Sequence, residues 1–310
     1  MTDYSTTIIA PLARWSCRIA LFSLSLLLAT LALHRLGSFP TNVAMNLFMV
    51  AYAGAGLAVL VGAVALAQIW RSGFGGAGSA AIGILLPLIA FAGPLAYLTA
   101  FLNLPRINDV TTDLAAPPRF AVLAKRNDGA NSTAYPGQNF AQLQAKAYPD
   151  LRTLVTDRSA EETFELVEEA VRRMRWRVAA AEPPTGRAAK TGVLEATDQT
   201  LLVGFTDDII IRVEGTATRA RVDVRSASRY GSFDFGQNAT RVRRFLAELQ
   251  ARADATTPGS GNRRALTSAR ARALLKRQKA GDPQKAGSRN AKGPGQPDVQ
   301  RGPGQKERQR

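Results

Sequence analysis

No charged residue occurs from position 36 to 70, and none from 72 to 105. Crossing about 30 Å of hydrocarbon takes roughly 20 mostly apolar residues at 1.5 Å each, so each stretch is long enough to span a bilayer. A third apolar run precedes them: residues 19–33 carry no charge, and Arg18 and Arg35 stand near its ends, where long side chains reach the headgroups. The expectation is therefore a membrane region, residues 1–104, with three helices at about 15–36, 43–70 and 80–104. Pro87 and Pro94 lie seven apart in the third, on one helical face, and predict a kink.

The first run has the position of a signal peptide but lacks a small-residue cleavage site, and two more spans follow, so it reads as an uncleaved helix. Gly54, Ala58 and Gly62 recur every four residues. They form either a stripe for close helix approach or the ordinary Gly and Ala content of membrane helices. Gly73, Gly75 and Gly78 have G-x-G-x-x-G spacing, but they join two membrane helices rather than a strand and a helix, so no dinucleotide site is expected. Arg14, Arg18 and Arg71 on one side against His34 and Arg35 on the other lean toward a cytoplasmic N-terminus. Three spans then put the C-terminal domain outside, in the periplasm if the membrane is a bacterial inner membrane.

Beyond the spans the chain changes character. Residues 105–149 are loop-rich, with Pro117-Pro118 and Tyr135-Pro136-Gly137, and are expected to wrap the following domain or space it from the bilayer. Residues 150–254 read as an α+β domain. Ser159 with Glu162 makes a capping box, after which Phe164, Val167, Val171 and Met174 recur at helical spacing. β-like runs follow at 176–181, 192–196, 201–205 with 207–214, and 219–228, the last two forming a hairpin around Gly215. Val242, Phe245, Leu246 and Leu249 mark a final helix beginning after Gly236. Helices flanking a run of antiparallel strands predict a two-layer α+β domain.

Residues 255–310 hold few apolar groups and 14 of the Lys and Arg residues against Asp282, Asp298 and Glu307, a net +11 out of the chain's +16. That composition predicts a disordered basic tail. Residues 263–279 could form a basic helix on anionic lipid, the alternative being a solvated tail. Nucleic acid is a poor partner for the tail, which has no aromatic side chains for base stacking. The single cysteine, Cys17, and the single histidine, His34, exclude an intrachain disulfide and a Cys/His zinc cluster.

Polar groups gather where the hairpin ends and the last helix begins: Asp207, Asp208, Arg225, Ser226, Ser228, Arg229, Asp234, Asn238 and Arg241. Matching apolar faces places Asp208 opposite either Arg225 or Ala227. One reading is a cross-strand salt bridge with a helix cap. The other is an anion site made by Arg225, Arg229, Arg241 and the helix N-terminus, with Asp207 or Asp208 as a base or cation ligand. No nucleophile elbow, P-loop, metal-ligand spacing or cofactor motif accompanies the cluster, which favours a binding or scaffolding module for an anionic ligand or envelope partner over an enzyme.

The runs Pro105-Arg106-Ile107-Asn108-Asp109-Val110-Thr111-Thr112-Asp113, Ala147-Tyr148-Pro149-Asp150, Gly204-Phe205-Thr206-Asp207-Asp208 and residues 224–231, followed by Asp234, Gly236, Asn238 and Arg241, resemble the domain of unknown function 1499 family over about residues 105–250. The resemblance implies a largely bacterial, membrane-anchored or exported protein, and a motif that includes Asp207, Asp208, Arg225, Ser226, Ser228, Arg229, Asp234 and Asn238. It also includes residues 108–113, which are expected either to fold back and complete the polar site or to serve as an ordered linker.

Overall fold

A computed structural model describes residues 8–125, 129–185 and 190–256. Three helices, α1 (Pro11–Arg35), α2 (Thr41–Ser72) and α3 (Ala77–Ala96), are each long and apolar enough to cross a membrane. The helix of the third span ends at Ala96, two residues after Pro94, and a short α4 (Leu98–Asn103) continues the chain. Pro87 and Pro94 both lie inside α3, so the break follows the second proline instead of falling at either.

Small residues let the three helices approach closely. Ala51, Ala55, Ala58, Gly62 and Ala65 form the buried stripe of α2, and Ala13, Ser16, Ala20 and Ser23 that of α1. Gly54, half-buried, also lies at the close approach of α1 and α2: a Cβ there would stand 2.4 Å from the Ser23 Oγ. Ser16 sits at the tightest point: its hydroxyl donates to the Ala58 carbonyl at 2.8 Å. A Cβ added to Gly83 of α3 would stand 1.9 Å from the Ser16 Oγ and 2.8 Å from the Ser16 carbonyl carbon, so that position requires glycine, and one added to Gly62 would stand 2.7 Å from the Ser16 Oγ.

The remaining described residues build an α+β domain. Its elements are β1 (Asp109–Thr111), α5 (Gln138–Ala147), β2 (Leu154–Thr156), α6 (Ala160–Arg173), β3 (Arg177–Thr185), β4 (Lys190–Gln199), β5 (Thr206–Gly215), β6 (Ala220–Ser228) and α7 (Gln237–Ala255). The strands form one antiparallel sheet in the order β1-β6-β5-β4-β3, with β2 pairing β6 beyond β1 on the same edge. The Ser159 side chain accepts from the Glu162 amide and caps α6, and the β5–β6 hairpin turns after Gly215.

The run 201–205, read as strand, is a turn closing β4 onto β5, and Leu201 and Leu202 are 84% and 73% exposed. Apolar content alone does not distinguish a buried strand from a turn whose apolar side chains point elsewhere. Residues 257–310, including the expected basic tail and the 263–279 helix, lie outside the described residues.

Helices α6 and α7 cover one face of the sheet. There Phe164, Val167, Val171, Trp176, Ile209, Ile211, Val213, Val222, Val224, Val242, Phe245 and Leu249 form the core. Residues 113–123 cross the opposite face, where Phe120 packs on Ile210 and Ala227. Three side chains strap this loop down, Glu195 and Arg225 buried and Arg212 half-buried. Glu195 accepts from the amides of Ala121, Val122 and Leu123 at 2.7–3.1 Å, Arg225 donates to the Pro118 carbonyl, and Arg212 donates to the Ala116 carbonyl.

The domain also touches the span ends. The His34 ring nitrogens contact the Val203 carbonyl at 2.7 Å and the Thr41 hydroxyl at 3.1 Å; a carbonyl only accepts, so Nδ1 carries the proton. Across the domain, Phe233 packs at a tilt on Phe101 and Phe235 edge-on against Tyr97. The ends of α1 and α3 emerge on one side of the bundle, and the domain rests on both.

Candidate functional site

Successive side chains of a strand point to opposite faces, and this divides the predicted polar cluster in two. Asp208 pairs across from Ala227, the second of the two predicted registers, with Arg225 a diagonal neighbour on the loop-covered face. Asp207 pairs across from Ser228 and lies on the helix face with Ser226. The carboxyls of Asp207 and Asp208 therefore do not converge on one site.

On the loop side, the guanidinium of Arg225 is 1% exposed and four of its five donors are engaged. It grips Asp109 through Nε at 2.9 Å and Nη2 at 2.7 Å, and donates to the carbonyls of Pro118 and Thr133. The rings of Phe120 and Tyr135 lie 5.0 and 5.4 Å from it. Burial, followed by the nearby Asp109 charge, pushes the Tyr135 phenol up to about 12. Arg229 holds Asp208 at 2.7–2.9 Å. Asp109 comes from the segment after the third span, which folds back as β1 beside β6.

On the helix side, Asp198 of β4 lies directly across from Asp207 of β5, two like charges that would repel. Arg241 of α7 bridges them, donating to Asp207 at 2.6 Å and to Asp198 at 2.8 Å. Its remaining nitrogen donates to Ser226 and to the Asn238 carbonyl oxygen. Asn238, wholly buried, uses all four of its bonding positions: it accepts from Ser226 and Arg241 and donates to Ser228 and to the Asn108 carbonyl.

Asp234 accepts from the amides of Gly236 and Asn238 and so closes the N-terminus of α7. The turn is sharp. Phe235 and Gly236 both have positive φ, and a Cβ on Gly236 would meet the Leu104 side chain at 2.8 Å, so glycine is required there.

Two carboxyls of this network resist ionisation. Burial raises the Asp207 pKa and the Arg241 charge offsets only part of the rise, since that charge is shared with Asp198. Burial raises the Asp234 pKa as well, against the pull of its two amide donors, and the neighbouring Asp207 adds to the rise. Burial alone would loosen the Arg241 proton, but Asp207 and Asp198 together hold it more tightly than usual.

A third network, absent from the sequence reading, lies farther along the loop-covered face. Arg212 and Arg221 both bind Asp113 and the wholly buried Asp223. Arg212 and Asp223 are direct cross-strand partners, so the hairpin register already contained that signal. Asp198 and Glu195 carried no such signal, because their partners come from a distant helix and from loop amides, whereas Asp109 lies in the 108–113 segment that the family resemblance implied would fold back onto the site. Two shallow depressions open on the domain: one of about 290 Å³ beside Asn108, Asp109, Asn131 and Tyr135, the other of about 400 Å³ beside Pro117, Pro118, Ile210 and Arg212. Neither is lined by Asp207, Asp234 or Arg241. Among the described residues no three His, Cys, Asp or Glu side chains are grouped to hold a metal ion.

The positions that define both networks, from Asp109 to Arg241, fall within residues 109–249, and that segment matches the model of the family described as protein of unknown function, DUF1499. Residues 109–249 form a DUF1499 domain. Searches of curated proteins and of solved structures return no match to the chain. The DUF1499 segment starts with β1 and ends within α7, so it takes in the strand that brings Asp109 to Arg225.

Proposed function

We propose that this protein is a non-enzymatic membrane module that seats its DUF1499 domain at one face of a bacterial inner membrane and engages anionic lipid there, or an envelope partner presenting the same chemistry. The observation that carries this reading is the pairing of charge. Arg225, Arg229 and Arg241 each lie against carboxylates of the same chain, Asp207 and Asp208 face apart, and neither depression among the described residues is lined by them. Such networks hold a frame, because breaking a buried pair strands a charge. The cations offered outward are elsewhere: Arg35 and Arg106 are exposed at the domain-side ends of the first and third spans. In this reading the N-terminus is cytoplasmic and the domain periplasmic, in keeping with Arg14, Arg18 and Arg71 at the opposite ends.

The test is lipid selection. The full-length chain in nanodiscs of mixed zwitterionic and anionic lipid should enrich anionic lipid around itself, as read by mass spectrometry of co-isolated lipid. Arg35→Gln with Arg106→Gln should remove the enrichment. Equal lipid composition for both proteins would overturn the reading.

A second reading, a membrane-bound enzyme using Asp207 or Asp234 as acid or base, with Asp208 left on the other face, draws on one observation: both carboxyls are raised and share one buried network. A turnover activity lost in Asp207→Asn at an unchanged unfolding midpoint would favour it over the module.

A further inference from the structure

We propose that the turn joining β4 to β5 is a lipid-contacting tip, with Leu201 and Leu202 immersed in the same bilayer that holds the three spans. Among the described residues, exposed large apolar side chains line the spans and their ends, and outside them occur singly, as at Val122, Leu143, Val155 and Val178, except at this turn, where two are adjacent. At 84% and 73% exposed, Leu201 and Leu202 are among the least covered leucines of the described residues. Isolated exposed leucines are ordinary. Two in succession, in a turn whose next residues touch the last turn of a membrane helix, call for an occupant.

The turn is built, not loose. The Thr200 amide donates to the Phe205 carbonyl at 2.9 Å, the Phe205 amide to the Thr200 hydroxyl at 2.9 Å, and the Gly204 amide to the Thr200 carbonyl at 3.0 Å. Its position is also fixed. His34, in the last turn of α1, contacts the Val203 carbonyl and packs edge-on against Phe205 at 5.7 Å, and Arg35 lies over Gly204. The neighbours of Leu201 and Leu202 in sequence are thus pinned to the rim of the first span. Leu33 and Leu36 on that rim are themselves 44% and 79% exposed. The leucines extend an apolar surface that already faces lipid, and this continuity selects acyl chains over a protein as the occupant.

The contact completes a two-point seat. On one side the tip enters the interface beside α1; on the other, Phe233 and Phe235 rest on Phe101 and Tyr97, aromatic residues of the kind that settle at headgroup depth. Arg106 lies 4.9 Å from the Phe101 ring, placing a cation at the same level. The tip therefore sets the depth and tilt of the domain without adding to the anchoring that the spans provide.

The experiment uses the full-length chain in phospholipid vesicles. Cys17 is replaced by Ser, and a single cysteine is placed by Leu202→Cys or, at the opposite end of the sheet, by Ala217→Cys in the exposed β5–β6 turn. Each is labelled with a polarity-sensitive fluorophore. The label at 202 should show blue-shifted emission, lose intensity when the vesicles carry doxyl-labelled acyl chains, and resist iodide; the label at 217 should behave oppositely. Iodide quenching at 202 equal to that at 217 would place the tip in water and overturn the proposal. Protection from both quenchers at 202 would mean that protein covers the tip, and would overturn it as well.

Discussion

Removing the Arg225 guanidinium should be the most damaging single change in the domain. Arg225→Ala leaves Asp109, only 3% exposed, as a buried carboxylate without its bidentate partner, and takes donors from the Pro118 and Thr133 carbonyls. Breaking a buried pair in this way costs about 3–5 kcal/mol, and each deprived carbonyl adds about 1 kcal/mol. Against a total stability of about 5–15 kcal/mol that is a large fraction. For a domain of this size it corresponds to a fall in Tm of about 10 °C or more.

Trp176 is a suitable reporter, being 6% exposed and stacked on Phe245 at 5.4 Å within the core. Urea unfolding of the full-length chain in detergent, followed by its fluorescence, gives the midpoint. The freed strap should also become a protease site around Arg119 and Lys125. The double variant Asp109→Leu with Arg225→Met, which removes both charges, should recover a substantial part of the loss. A loss below about 1 kcal/mol in Arg225→Ala would refute the reasoning, because a pair that is cheap to break is a solvated one. Arg225 would then be free to serve as an anion-binding group.

The helix-side network predicts a pH response of defined sign. Asp207 and Asp234 hold their protons more tightly folded than unfolded. Between the ordinary unfolded carboxyl value and their raised native values the native state therefore binds more protons, and stability falls as pH rises through that window. Asp113, whose burial is outweighed by bonds from Ala116, Arg212 and Ala115, is lowered instead, so its contribution is lost as pH falls through its depressed native value. Urea midpoints measured across pH should flatten in the upper window when Asp207 and Asp234 are both replaced by Asn, and an unchanged profile would contradict the assignment. For topology, alkaline phosphatase fused after Arg106 or after Arg310 should be active at both positions, whereas inactivity at both would put the domain in the cytoplasm.

The spans were legible because lipid imposes a single rule, absence of charge over about 20 residues, and that rule is local. The β5–β6 hairpin and the helix carrying Phe245 and Leu249 were legible because their periods differ. Two features were not. The Leu201-Leu202-Val203 run satisfies a strand pattern, since the pattern records that apolar side chains avoid water and not whether they do so in a core. Helix α5 escaped notice inside a stretch read as loop, because its one buried side chain is Gln144, which bonds to the amide and carbonyl of Thr111 and shows no apolar period. The polar cluster was legible as a list of residues and illegible as an arrangement. Strand alternation separates Asp207 from Asp208 at once, but the pairing of Asp109 with Arg225 joins residues more than a hundred positions apart.

Five residues separate the last turn of α4, ending at Asn103, from the first residue of β1, Asp109. At about 3.4 Å each they reach no farther than about 17 Å, and Ile107 among them is already locked into the domain core. So short a leash forbids the domain from lifting away or swinging out to fish for partners. Molecules arriving from solution meet the end of the sheet at the exposed β5–β6 turn, while the end beside the spans is met by molecules sharing their leaflet, whose search is two-dimensional.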